Sequence, residues 1–122
     1  MSVVLIVEDD ASVMEVTSLL LEDAGYEVLP AEGAEQALRA AEERPDIDVI
    51  FTDVNLREGL NGIELARMLK ERGSRAAMIV VSGDLGWSGV SLAPYMHFLA
   101  KPYGRNTLLT VVAEACAKRK LA

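Results

Sequence analysis

Apolar positions along this 122-residue chain alternate between two rhythms. Val3–Val7 is an unbroken apolar run rich in β-branched side chains, too short for a helix and suited to a strand covered on both faces. Asp10 and Ser12 then offer capping side chains for a helix reaching about Ala24, with Val13, Val16 and Leu20 on one side and Gly25 as its stop. Residues 26–29 alternate weakly and read as an exposed edge strand. Ala34, Ala37, Leu38 and Ala41 recur at helical spacing, and Arg44-Pro45 ends that helix, because the residue before a proline is pushed out of helical geometry. Residues 47–52 read as a third strand and residues 76–81 as a fourth. Between them Leu65, Met68 and Leu69 mark a helix that Gly73 closes. Residues 97–100 make a short fifth strand, and Leu108, Val111, Val112 and Ala115 give a last helix.

Strand and helix alternating in this way predict a single α/β domain over residues 1–122, built on a doubly wound, five-stranded parallel sheet. Ligands of such sheets sit beyond the carboxyl ends of the strands. There the first strand is followed by Glu8-Asp9-Asp10, the third by Asp53, the fourth by Ser82 and the fifth by Lys101-Pro102. Carboxylates gathered on one lip repel unless a cation compensates. An oxygen-only set with no His or Cys beside it prefers a hard ion, Mg²⁺ before Zn²⁺. Mg²⁺ shares its shell readily with phosphate oxygens, which points to phosphoryl chemistry, with Lys101 offsetting charge and Ser82 supplying a hydrogen bond. Each piece alone has an ordinary explanation: Asp10 as a helix cap, Asp53 as a residue that solvates a loop. The ordered set on four different strand ends is what carries the inference.

The 19 acidic against 12 basic side chains give a net charge of −7, which argues against a nucleic-acid surface, since phosphate contacts need grouped Lys and Arg. The basic cluster Lys118, Arg119 and Lys120 reads as a solvated helix terminus favoured by the dipole. One cysteine, Cys116, excludes an internal disulfide and is expected to pack. No run approaches a membrane span and no signal-peptide plan opens the chain, so the expectation is a cytoplasmic protein without a membrane partner.

The stretches Val4-Leu-Ile-Val-Glu-Asp-Asp10, Asp53-Val-Asn-Leu56, Asn61-Gly62, Val81-Ser-Gly83 and Phe98-Leu-Ala-Lys-Pro102 resemble those of response-regulator receiver domains of two-component systems. The likeness covers residues 4–117. It implies a flavodoxin-like sheet of order 2-1-3-4-5, and Asp53 as the acceptor of a phosphoryl group from a histidine kinase or a phosphotransfer protein. By the same resemblance Glu8 and Asp9 are the metal-binding acids, and Asn55 adds a backbone carbonyl to a Mg²⁺ site that includes Asp53. Ser82 is the switch hydroxyl, Phe98 the aromatic that follows it, and Lys101 the phosphate-binding lysine. The resemblance further implies a protein-binding switch read by an unknown downstream protein, and no turnover of outside substrates.

Two departures from the family pattern stand out. Asp53 to Gly62 is one residue longer than usual, and the segment around Gly86, Gly89 and Pro94 is a poor candidate for the family's fourth helix, which is expected to be short or irregular. Two other readings compete. A haloacid-dehalogenase-type hydrolase also uses an Asp nucleophile with Mg²⁺, but it wants an acid two residues later, where this chain has Asn55. A non-switching adaptor of the same fold would not need the full chemical set. The residues leave open whether this is a stand-alone receiver or part of a longer regulator or hybrid kinase.

Overall fold

A computed structural model describes residues 1–56, 59–83 and 94–121. In chain order the elements are β1 (Val3–Val7), α1 (Ala11–Asp23), β2 (Glu27–Ala31), α2 (Ala34–Glu43), β3 (Val49–Asp53), α3 (Gly62–Glu71), β4 (Ala77–Ser82), β5 (Met96–Ala100) and α4 (Arg105–Leu121). All strand pairings are parallel, and the order across the sheet is β2-β1-β3-β4-β5. The architecture is the flavodoxin-like α/β sheet expected above. The segment expected to form a short or irregular fourth helix lies in residues 84–93, outside the described residues.

Burial follows the two-residue period of the strands. Val3, Leu5 and Val7 join Ile50, Met78 and Val80 in a core with α2 and α3, through Ala37, Leu65 and Leu69. Val4 and Ile6 join Phe51, Ile79 and Val81 against α1 and α4, through Leu21, Leu108 and Val112. Each fully buried aliphatic side chain contributes about 1.5–3 kcal/mol relative to leaving it in water, which is what fixes the register of the strands. Cys116 lies in this second core, as expected. Gly25 and Gly73 follow α1 and α3 with φ of 98° and 94°, the left-handed conformation that lets a chain leave a helix.

Three local expectations need correction. Helix α1 buries Thr17 and Leu21, whereas Val16 is 59% exposed. Leu19, Leu20 and Leu21 are consecutive, so hydropathy alone does not choose the face that docks on the sheet. Strands β3 and β4 each extend one residue further than expected and take Asp53 and Ser82 into the ladder. Arg119 is not a solvated terminal residue: its side chain is three-quarters buried and its Nε stands 3.5 Å from Asp48 Oδ1 at the amino end of the sheet.

Candidate functional site

The ladder brings the strand-end residues together. Asp53 is paired in register with Val81, and Ser82 with Ala100, so Asp53, Ser82 and Lys101 stand at the same end of three adjacent strands. Lys101 N–H continues the ladder by donating to the Ser82 carbonyl at 2.9 Å. On the other side of β3, β1 runs out at Val7 and delivers Glu8 and Asp9. Strands two apart are separated by roughly 10 Å, so reaching the Asp53 carboxylate from β5 takes a long side chain. Lysine does so: Lys101 Nζ is 2.8 Å from Asp53 Oδ2 and 3.7 Å from Glu8 Oε1. The Lys101–Pro102 peptide is cis.

Backbone groups hold the acids. The Asn55 N–H donates to Asp53 Oδ1 at 3.1 Å, and the Asp10 N–H donates to Glu8 Oε2 at 3.1 Å. Asp10 itself caps α1, accepting from the N–H groups of Ser12 and Val13, and so stays out of the acidic cluster. One carboxylate oxygen each from Glu8, Asp9 and Asp53 lies within 4.8 Å of the others, with Glu8 and Asp53 buried and Asp9 half-buried. Burial pushes the Glu8 carboxyl above the usual range. The Asp10 N–H and Lys101 pull it back, while Asp53 and Asp9 add to the rise. Burial lowers the Lys101 ammonium, but its hydrogen bond to Asp53 and the charges of Asp53 and Glu8 outweigh that, and the net shift is upward. The lysine therefore stays charged, facing more carboxylates than it can neutralise. Ser82 is buried at the rim, Asn55 is exposed, and Phe98 is 48% exposed on β5.

Two residues have supporting roles that the sequence alone did not assign. Thr52, fully buried, donates its hydroxyl to the Asp53 carbonyl at 2.9 Å. Its signal was a hydroxyl inside an otherwise apolar strand, directly before the acid. Gly62 lies against the same carbonyl: a Cβ there would overlap the Asp53 oxygen and come within 2.8 Å of its carbon. Its N–H donates to the Val54 carbonyl at 2.9 Å. Next to it Asn61 and Glu64 form a reciprocal capping box that starts α3, legible in the sequence as an amide three residues before a glutamate. The turn after Asp53 is thus pinned at both ends.

A family model described as response regulator receiver domain matches residues 4–113. The crystal structure of a receiver domain protein from Clostridium thermocellum superposes with a TM-score of 0.89 at 27% identity, covering 99% of this chain and 98% of that one. The receiver domain of the hybrid histidine kinase CckA gives a TM-score of 0.80 at 32% identity, covering 94% and 99%. The sensory/regulatory protein RpfC of Xanthomonas campestris pv. campestris is 33% identical over 126 aligned positions, 97% of this chain but 17% of RpfC. The chain spans about a quarter or less of the length of the curated relatives it matches. Among the described residues no helix is long and apolar enough to cross a membrane.

Proposed function

The chain belongs to the response regulator receiver domain family, and from that premise we propose that Asp53 is its phosphoacceptor. The donor in this reading is a phosphohistidine on a sensor histidine kinase or a phosphotransfer protein. The observation that carries the proposal is the 2.8 Å pair of Lys101 with Asp53, set inside a group of three carboxylates drawn from two adjacent strand ends. An Asp53 oxygen attacks phosphorus, the bond from phosphorus to the donor imidazole breaks, and the imidazole leaves with its electron pair and takes a proton. Lys101 then faces the added negative charge, and Ser82, buried on the neighbouring strand, supplies a hydroxyl to a phosphoryl oxygen.

The acidic group fits a hard divalent cation, because every donor is oxygen and one lysine cannot balance three carboxylates. Glu8, Asp9 and Asp53, with the Asn55 carbonyl, would hold Mg²⁺. When bound it neutralises charge on the acids and on the transferring phosphoryl group. We propose no turnover of outside substrates: the position where a haloacid-dehalogenase-type hydrolase carries its general acid is Asn55, whose carboxamide side chain does not ionise and cannot shuttle a proton. The output of the switch is a change in a protein-binding surface, with Phe98, exposed on β5, following Ser82. The cytoplasm, where such donors phosphorylate their targets, is the proposed location.

The test is incubation with acetyl phosphate and Mg²⁺, followed by intact mass measurement. One phosphoryl group is expected on the parent chain, none on Asp53→Asn, and none on the parent when Mg²⁺ is chelated. Labelling of Asp53→Asn equal to the parent would overturn the assignment.

A further inference from the structure

At the opposite end of the sheet a cavity of about 380 Å³ opens where the carboxyl ends of α2 and α3 meet. Its apolar wall is Leu38, Ile47, Ile50 and Leu69, of which the last three are buried. Four arginines, Arg44, Arg72, Arg75 and Arg119, also line the cavity, against a single acidic lining residue, Glu42. Four of the 12 basic residues of a chain with a net charge of −7 thus line one hollow.

These arginines are unequally engaged. Arg44 is held by Asp46 and Glu27 at 2.9 Å, and it and Arg72 sit at the caps of α2 and α3, where a cation answers the helix dipole. Arg72 reaches Glu42 only at 3.5 Å. Arg75 is exposed and forms no ion pair among the described residues. Arg119 faces Asp48 at 3.5 Å, and its Nε is buried with no hydrogen-bond partner. A buried donor left unmet costs free energy, and the side chain that carries it lines the cavity. The cavity therefore combines an apolar wall with two under-used guanidinium groups, Arg75 and Arg119.

We propose that this cavity binds a small organic carboxylate, its aliphatic or aromatic body on Leu38, Ile47, Ile50 and Leu69 and its head group on Arg75 and Arg119. The volume suits a small ligand rather than a docked helix, and the planar fork of arginine matches a carboxylate in two hydrogen bonds. Arg119 belongs to α4, Ile50 to β3 and the rest of the lining to α2, α3 and the turns that follow them, so an occupant would tie α4 to the opposite helical layer at the end remote from Asp53.

Octanoate, below its micellar concentration, is the probe, with octanol and inorganic phosphate as matched controls. Titration of isotope-labelled protein followed by NMR should give saturable shifts at Leu38, Ile47 and Leu69 with octanoate. Octanol and phosphate should each bind at least about tenfold more weakly, as expected for loss of a charge-assisted hydrogen bond or of the apolar contact. Arg75→Gln, a change at an exposed position, should weaken octanoate by about tenfold, and Arg75→Gln with Arg119→Gln further. Acetyl phosphate should label Asp53 in the Arg75→Gln variant as in the parent, which separates this site from the one above. Absence of saturable shifts, equal binding of octanol or phosphate, or unchanged affinity in Arg75→Gln would overturn the proposal.

Discussion

At the carboxyl end of the sheet Glu8, Asp9 and Asp53 crowd together with one lysine facing Glu8 and Asp53, whereas at the amino end the acids are matched. Asp46 takes two 2.9 Å bonds from Arg44, which also reaches Glu27, and the pairing holds Asp46 below and Arg44 above their usual ranges. Asp48 accepts from the Val3 N–H at 2.9 Å, faces Arg119, and its own backbone bonds to β1 and β4. Similar residue types thus serve opposite ends. At the amino end each of these acids is answered from within, and the answer joins strands and helix α4. At the carboxyl end negative charge is left over, Glu8 is pushed toward its neutral form, and the imbalance is met only by something from outside. A group held in readiness for a ligand is a group the fold leaves unsatisfied.

The sharpest way to break this contrast is Gly62→Ala. Its methyl group has to displace the Asp53 carbonyl, so the proposed acceptor moves while the amino end is untouched. We expect a loss of about 3 kcal/mol in urea unfolding, as for overpacking a close contact, together with loss of acetyl phosphate labelling. Wild-type labelling in a variant of unchanged stability would show that the turn after Asp53 tolerates a side chain.

Asp48→Ala attacks the matched end. It strands the Val3 N–H and leaves Arg119 without its carboxylate, and we expect about 2 kcal/mol of destabilisation, the same with or without Mg²⁺. Asp9→Asn should do the reverse at the crowded end. Removing one of three repelling charges is expected to raise the metal-free stability by on the order of 1 kcal/mol. The parent should gain ~2.7 kcal/mol from Mg²⁺ at about one hundred times its dissociation constant, and Asp9→Asn should lose most of that gain. Paired melting curves decide it: both variants destabilised to the same degree without metal would erase the difference between the two ends.

The smallest effect belongs to His97 on β5, half-buried near α4. Burial and the charge of Lys118 lower its pKa below 6.5, and Glu114 opposes them only in part. The unfolded chain then binds the proton more readily, so His97 contributes stability above pH 6.5 that is lost as pH falls from 6.5 through the lower folded value. His97→Gln should flatten the stability curve over that window. An unchanged slope would show that the histidine does not sense its burial.

The sequence by itself determined the elements and the composition of the site. Strand and helix are set by local backbone geometry and by hydrophobic period, so β1, α2 and α3 were legible from their own residues, as were the acids, hydroxyl and lysine at the strand ends. The strand order came from the family resemblance and not from periodicity. Only the tertiary structure decided how partners distant in the chain meet. Lys101 finds Asp53 across 48 residues because β4 and β5 continue the ladder from β3, and no local pattern encodes that distance. It also decided that α1 turns Thr17 and Leu21 to the sheet instead of Val16, because a helix apolar on several sides takes its face from what it docks against. Arg119, at the end of a basic run, has its partner in Asp48 at the foot of β3, and the cavity beside it is made by three helices and a strand. Packing is non-local. Charge pairing, burial and close approach, such as that of Gly62 to Asp53, exist only once the layers have closed.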